Sequence, residues 1–116
     1  MERDQMKALF AIGAAMLVSV ASAAPLSAAE IHKLCSNYSE TAASVMKGRQ
    51  NGVPMRKMME IMTEYDAKIG PDHDLGRMFV VQAYEQPQYQ TKEVQQRTIG
   101  EFENKNYLAC HKGFNK

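Results

Sequence analysis

The sequence lacks the short motifs that mark the common enzyme classes. It contains no Gly-x-Ser-x-Gly, no Cys-x-x-Cys, no His-Glu-x-x-His and no glycine-rich phosphate loop. It also has no internal repeat, and its strand signals are weak, with short β-branched pairs such as Val80-Val81. These absences leave no support for an enzyme, so we predict no catalytic residues and no cofactor.

An excess of charge of one sign is also missing. The chain has 14 Lys+Arg and 13 Asp+Glu, which gives a formal net charge of +1. A protein that binds nucleic acid shows a basic patch or stripe, and electrostatic attachment to an anionic membrane needs a similar excess of positive charge. We therefore expect neither kind of partner.

The longest apolar run lies near the N-terminus, from Ala8 to Val20. It spans about 13 residues, too few for a transmembrane helix, which needs ~20. Lys7 precedes the run, and the triplet Ala21-Ser22-Ala23 that follows it has the small-x-small pattern of a signal-peptidase site. This order predicts a cleaved export signal.

The export signal sets the predicted domain boundaries. We predict a signal peptide over residues 1–23 and a single helical domain over residues 24–116. Since two acids fall within the first five residues, Met6 is a better signal start than Met1. A cut after Ala29 and an uncleaved membrane anchor are the alternatives. The mature protein is expected to be periplasmic or secreted, with no stable membrane insertion.

Four amphipathic segments follow, each with apolar residues at three- and four-residue steps. Ser27 and Glu30 form a capping box, Gly52 suits a left-handed helix end, and Gly70-Pro71 ends the second segment. The predicted helices cover about 28–50, 54–69 with Pro54 at the first helical position, 72–85 with Asp72 as cap, and 91–113 with Thr91 as cap and Gly113 as stop. The predicted inner face of the first helix consists of Ile31, Leu34, Cys35, Tyr38, Ala42, Val45 and Met46, and that of the second consists of Met55, Met58, Met59, Met62, Tyr65 and Ile69. The predicted inner face of the third helix consists of Leu75, Met78, Phe79, Ala83 and Tyr84. That of the fourth consists of Val94, Thr98, Ile99, Phe102, Tyr107 and Cys110.

Short loops between successive helices favour antiparallel neighbours, so the predicted fold is all-α, a four-helix up-down bundle. In that topology Cys35, early in the first helix, lies near Cys110, late in the fourth. Export exposes both thiols to an oxidising compartment, and we predict a disulfide between them. Closing a loop of about 76 residues stabilises the fold by roughly 4.5 kcal/mol on the chain-entropy model.

The second helix carries an unusual methionine stripe, formed by Met55, Met58, Met59 and Met62. Residues that share one helical face are typical of a packed core, and methionine fills irregular gaps well. Thioether sulfurs also bind Cu(I), which an exported protein can meet. Core packing is therefore the first interpretation, a Cu(I) site the second, and a methionine-rich groove for an apolar partner the third.

Two further clusters could hold chemistry. His32 and Cys35 together with Cys110 and His111 have the donor types of a zinc site, but neighbouring residues on a helix point about 100° apart and export favours the disulfide. The cluster Asp72-His73-Asp74 resembles an acid-base site, yet at a helix N-terminus its acids are expected to act as caps. We predict no metal site in either cluster.

Two loop patterns carry a resemblance to a known type of protein. Arg49-Gln50-Asn51-Gly52-Val53-Pro54 contains an Arg-x-x-Gly-x-Pro-like hinge, and Tyr84-Glu85-Gln86-Pro87 contains a Tyr-x-x-Pro-like segment. With an early and a late cysteine, the chain resembles a widespread type of small exported helical protein of Gram-negative bacteria and their phages. The resemblance implies a helical fold and an exported location, and it implies no activity.

Three functions are compatible with these features. The first is a protein-binding module of the immunity, inhibitor or exclusion type, whose partner is another periplasmic or envelope protein. The second is a periplasmic Cu(I)-handling protein that uses Met55, Met58, Met59 and Met62. The third is a periplasmic stress chaperone, which the ordinary charge content and the three histidines do not favour. We therefore predict a protein-binding module.

Overall fold

The computed structural model describes residues 24–115. This part of the chain is all-helical, as predicted, and its four helices form a bundle: α1 Ala28–Gln50, α2 Met55–Ile69, α3 Leu75–Tyr84 and α4 Lys92–Phe114. None of these helices is long and apolar enough to cross a membrane. The predicted signal peptide, residues 1–23, lies outside the described residues.

Several helix ends follow from local sequence. The hydroxyl of Ser27 accepts a hydrogen bond from the Glu30 amide at 3.2 Å, and the Glu30 carboxylate accepts one from the Ser27 amide at 3.2 Å. This is the predicted capping box. Thr91 caps α4 by accepting from the Val94 amide at 3.3 Å. Gly52, in the α1–α2 loop, has a φ of 83°, which a residue with a Cβ rarely adopts.

The structure moves several predicted helix ends: α3 spans Leu75–Tyr84 where 72–85 was predicted, and one end of α2 and one of α4 shift by a single residue. Pro54 has extended backbone and is the N-cap of α2, so the helix begins at Met55. At the other end of the chain, α4 continues past Gly113 to Phe114, because a glycine inside a helix weakens it without ending it.

Helix α1 is the centre of the bundle. It packs extensively against α4 and α3, whereas α2 packs mainly against α3 and touches α1 only slightly. All four helices contribute to one core. Its buried members are Ala42, Val45, Met46, Met58, Met62, Phe79, Val80, Ala83 and Phe102.

A disulfide joins α1 to α4, as the positions of the two cysteines predict. Cys35 and Cys110 are bonded, with their Cα atoms 5.5 Å apart. Cys35 is fully buried. Because the bond connects residues 75 apart in sequence, it restricts the unfolded chain strongly.

Four residues predicted to face the core are instead exposed, and three of them lie on α2. Leu34, Met55, Tyr65 and Ile69 each keep more than a third of their surface in solvent. For the three residues on α2, the reason is that this helix packs mainly against α3 and makes few contacts with α1, so the side that it turns toward α1 stays partly uncovered. The prediction for these four positions was therefore wrong, and the uncovered edge is a feature of the fold.

Candidate functional site

A groove runs between α1 and α2, where the two helices diverge. It encloses a volume of about 360 Å³. Its lining is mostly apolar, with two hydroxyl groups contributed by α1. The lining residues are Thr41, Ser44, Val45, Met58, Ile61, Met62 and Tyr65.

A second, smaller cavity adjoins the groove and shares Thr41 and Tyr65 with it. Its volume is about 220 Å³. The remaining wall residues come from α1, from α3 and from the loop that precedes α3: Leu34, Asn37, Tyr38, His73, Leu75 and Phe79. A shallower apolar depression continues past Leu34 and Leu75 to Phe114, near the end of α4.

These three depressions make one side of the bundle apolar. Leu34, Ile61, Tyr65 and Phe114 line them and are exposed to solvent. Single exposed apolar side chains are normal on a folded protein, but a contiguous exposed apolar surface marks an interaction site or a ligand groove. We call the surface formed by the three depressions the apolar face.

A buried carboxylate, Asp66, lies beside this face and holds the start of α3. Only 1% of Asp66 is exposed. Its carboxylate accepts hydrogen bonds from the backbone amides of Gly76 at 2.8 Å and Arg77 at 3.1 Å. Its Oδ1 also lies 2.8 Å from Nδ1 of His73. Asp66 in α2 therefore caps α3 from outside that helix.

The hydrogen bonds determine the ionisation of Asp66. Burial alone raises the pKa of this carboxyl, but the amides of Gly76 and Arg77 and the imidazole of His73 outweigh it and hold the pKa below its usual value of 3.8. The carboxylate is thus charged at neutral pH. Since it can only accept, the bond to His73 requires a proton on Nδ1 of that ring.

The structure corrects the prediction that Asp72 and Asp74 cap α3. The N-cap is Asp74, Asp72 lies outside the helix, and no side chain makes the local cap bond. The first amides of the helix are already bonded to Asp66. The sequence held one signal of this arrangement: Asp66 lies four residues after Met62 on the apolar stripe of α2, where an acid needs a partner.

The two loop patterns that carry the resemblance meet in space. Arg49 donates from Nε to the carbonyl of Gln86 at 3.0 Å. The buried amide side chain of Gln50 donates to the Pro87 carbonyl at 2.9 Å and accepts from the Tyr89 amide at 2.9 Å. These bonds tie the C-terminal end of α1 to the α3–α4 loop. The two patterns therefore have a structural role that their spacing alone did not predict.

The methionine stripe is divided between core and surface. Met58 and Met62 are buried, Met59 is half-buried and packs against the core, and Met55 is 43% exposed. Core packing is thus the arrangement of the first three, and the prediction was wrong for Met55. Met55 is the first residue of α2, a helix that makes few contacts with α1.

The histidine and cysteine cluster does not present a zinc site. Both thiols are consumed by the disulfide, so no thiolate remains to bind metal. His32 and Tyr107 are hydrogen-bonded at 2.9 Å, and His111 stacks on Tyr107. Among residues 24–115, no group of three or more His, Cys, Asp or Glu side chains is placed to hold a metal ion.

Comparison with known proteins adds no relative to this picture. No family model, curated protein or solved structure matches the chain. The resemblance to small exported helical proteins stays a prediction.

Proposed function

We propose that this protein is a small exported module that binds another periplasmic or envelope protein, as an immunity, inhibitor or exclusion factor does. The observation that carries the proposal is the apolar face, where large side chains such as Ile61 and Tyr65 line a groove and remain exposed. A helix laid in an apolar groove is a common mode of protein recognition. The groove between α1 and α2 is lined mostly by apolar side chains of both helices.

Export is part of the proposal. It is supported by the signal-like order of residues 1–23, which would be removed to leave a mature protein beginning at Ala24. The disulfide adds support, because such bonds persist mainly in oxidising compartments. Mass analysis of protein purified from the periplasm should find Ala24 at the N-terminus, and full-length chain in the membrane fraction would contradict export.

We further propose that the helices run up, down, up and down. In this order consecutive helices are antiparallel, and the first and last helices lie side by side. The supporting contacts pair Cys35 with Cys110, Gln50 with Tyr89, Thr41 with Tyr65, and Asp66 with Gly76. The face that binds the partner is then built mainly by α1, α2 and the start of α3.

The core packing of most of the methionine stripe favours this function over Cu(I) handling. Met58 and Met62 are buried in the core, and their sulfurs would have to leave it to bind metal at the surface. The loss of core packing opposes that movement, because truncating a buried methionine to alanine lowers the free energy of unfolding of a protein by ~2–5 kcal/mol. Met58 and Met62 thus form part of the lining of the groove.

Affinity capture tests the proposal. Mature protein carrying a C-terminal tag is incubated with periplasmic extract, and the bound proteins are identified by mass spectrometry. Ile61→Glu places a charge in the groove and should abolish capture. Leu108→Glu is the matched control, because Leu108 is 52% exposed against 44% for Ile61 and lies outside the groove.

Capture of one protein by the wild type and by Leu108→Glu, but not by Ile61→Glu, would support the proposal. Equal capture by all three variants would show that the groove is not the binding surface. Failure of the wild type to retain any protein would contradict the function itself.

A further inference from the structure

We propose that the bundle consists of two units that unfold separately: α2 and α3 open together as one unit, while α1 and α4 stay folded. Proteins open in cooperative parts whose free energies range from near zero up to that of global unfolding, and a part with few contacts to the rest opens first. The division is a property of the free protein, and it holds or fails independently of the proposed function.

Helices α1 and α4 form the first unit. They pack extensively against each other, and α4 packs to a comparable extent against no other helix of residues 24–115. Each of the two helices has 23 residues, and the disulfide between Cys35 and Cys110 joins them. His32 of α1 and Tyr107 of α4 are also hydrogen-bonded, at 2.9 Å. Because the disulfide is covalent, it keeps α1 and α4 close together when the rest of the chain unfolds.

Helices α2 and α3 form the second unit. α2 packs mainly against α3, and its buried Asp66 accepts hydrogen bonds from the backbone amides of Gly76 and Arg77. Hydrogen bonds to a charged group are stronger than neutral ones, so they couple the opening of the two helices. The helices have only 15 and 10 residues, and isolated helices of such lengths are marginal in water. A detached α2–α3 unit therefore unfolds, and its amides become accessible to hydrogen exchange.

The boundary between the two units is interrupted by empty space. Phe79 of α3 packs edge to face on Tyr38 of α1, but α2 makes few contacts with α1, and the hydroxyls of Thr41 and Tyr65 meet at 3.3 Å in an exposed position. The groove and the 220 Å³ cavity are both lined by residues of the two units. Atoms that line a void lack packing partners on one side. The units therefore separate from each other more readily than α1 separates from α4.

The chain enters and leaves the α2–α3 unit at one place. The side chain of Gln50, at the end of α1, donates to the Pro87 carbonyl at 2.9 Å and accepts from the Tyr89 amide at 2.9 Å. Arg49 donates to the carbonyl of Gln86 at 3.0 Å. These bonds hold the two connections together, so the segment between Gln50 and Tyr89 can unfold as a closed loop while α1 and α4 remain paired. The groove thus has one wall that stays in place, α1, and one wall that opens, α2.

Native-state hydrogen exchange of the mature protein, followed by NMR, tests the division. The slowest-exchanging amides of α2 and α3 should share one protection factor. It should be at least about tenfold lower than that of the slowest amides of α1 and α4, because opening one unit requires less free energy than global unfolding. Equal protection in all four helices would overturn the proposal. Protection of α3 equal to that of α1 and α4, with only α2 lower, would also overturn it.

Two variants act on the two units differently. Asp66→Asn weakens the bonds between α2 and α3, which are lost both when the unit opens and when the whole chain unfolds. Protection should therefore fall by the same factor in all four helices. Replacement of both Cys35 and Cys110 by alanine releases a constraint on the globally unfolded chain, while α1 and α4 remain paired when only the α2–α3 unit opens. Protection should then fall more in α1 and α4 than in α2 and α3.

The ratio of protection between the two units is the quantity to compare. It should stay constant in Asp66→Asn and shrink in the double cysteine variant. A ratio that shrinks in Asp66→Asn, or that stays constant in the double cysteine variant, would overturn the proposal. If the double cysteine variant does not fold, the comparison of the four helices in the wild type still decides the question.

Discussion

Removal of Asp66 should destabilise the fold more than removal of any other acid near α3. Asp66→Ala deletes an acceptor that is bonded to the amides of Gly76 and Arg77 and to the imidazole of His73. A hydrogen bond to a charged group contributes ~1.5–3 kcal/mol, and part of this is offset because a buried charge is also removed. We expect a net cost of about 3 kcal/mol, a large share of the ~5–10 kcal/mol typical of a small domain.

Urea denaturation followed by circular dichroism at neutral pH measures this cost. Asp74→Ala is the matched control, because Asp74 is at the N-cap position of α3 but makes no cap bond. Its loss should cost less than about 1 kcal/mol, the size of its interaction with the helix dipole. Equal costs for Asp66→Ala and Asp74→Ala would refute the account of how α3 begins.

The pH dependence of stability follows from the same carboxylate. The pKa of Asp66 is lowered in the folded protein, so its contribution is complete above the usual value of 3.8 and is lost as the pH falls through the folded pKa. Acid should therefore destabilise the wild type more steeply than Asp66→Asn. Parallel pH profiles for the two proteins would contradict this linkage.

Three further predictions concern core packing and the disulfide. Gly76→Ala should destabilise the fold by ~1–3 kcal/mol, because the added Cβ would lie 2.7 Å from Asp66 Oδ1. In the control Gly100→Ala the added Cβ meets no atom within 4 Å, so this substitution should raise the melting temperature. A higher melting temperature for Gly76→Ala than for Gly100→Ala would refute the close contact between Gly76 and Asp66. Cys35→Ala, or reduction of the disulfide, should lower the free energy of unfolding by a few kcal/mol. An unchanged melting temperature would show that the disulfide does not stabilise the fold. Met62→Ala should cost ~2–5 kcal/mol and Met55→Ala much less, and Cu(I) should not shift the thermal melt, whereas a rise with stoichiometric metal would restore the copper hypothesis.

The sequence predicts the helices well where their ends depend on neighbouring residues. The Ser27 capping box, the positive φ of Gly52 and the Thr91 cap each involve residues within a few positions of one another. The disulfide was also predictable, because Cys35 and Cys110 fall at ends that short loops bring together. These features need only local rules and one topology.

The candidate site needed more than local rules. The cap of α3 comes from Asp66, ten residues before Gly76, and no pattern around Asp72 or Asp74 indicates that their side chains are not used. Helical periodicity placed Met55 and Tyr65 on an inner face. It cannot show that α2 packs mainly against α3 and makes few contacts with α1. The apolar face exists because two helices fail to cover each other, and that depends on the packing of the whole bundle.

Site-specific photo-crosslinking in living cells tests the central claim most directly. A photoreactive amino acid replaces Ile61 in the groove or, as control, Leu108 on α4. Binding through the groove predicts one discrete crosslinked protein from position 61 and none from position 108. No adduct from position 61, or the same adduct from both positions, would contradict the proposal that this face binds a partner.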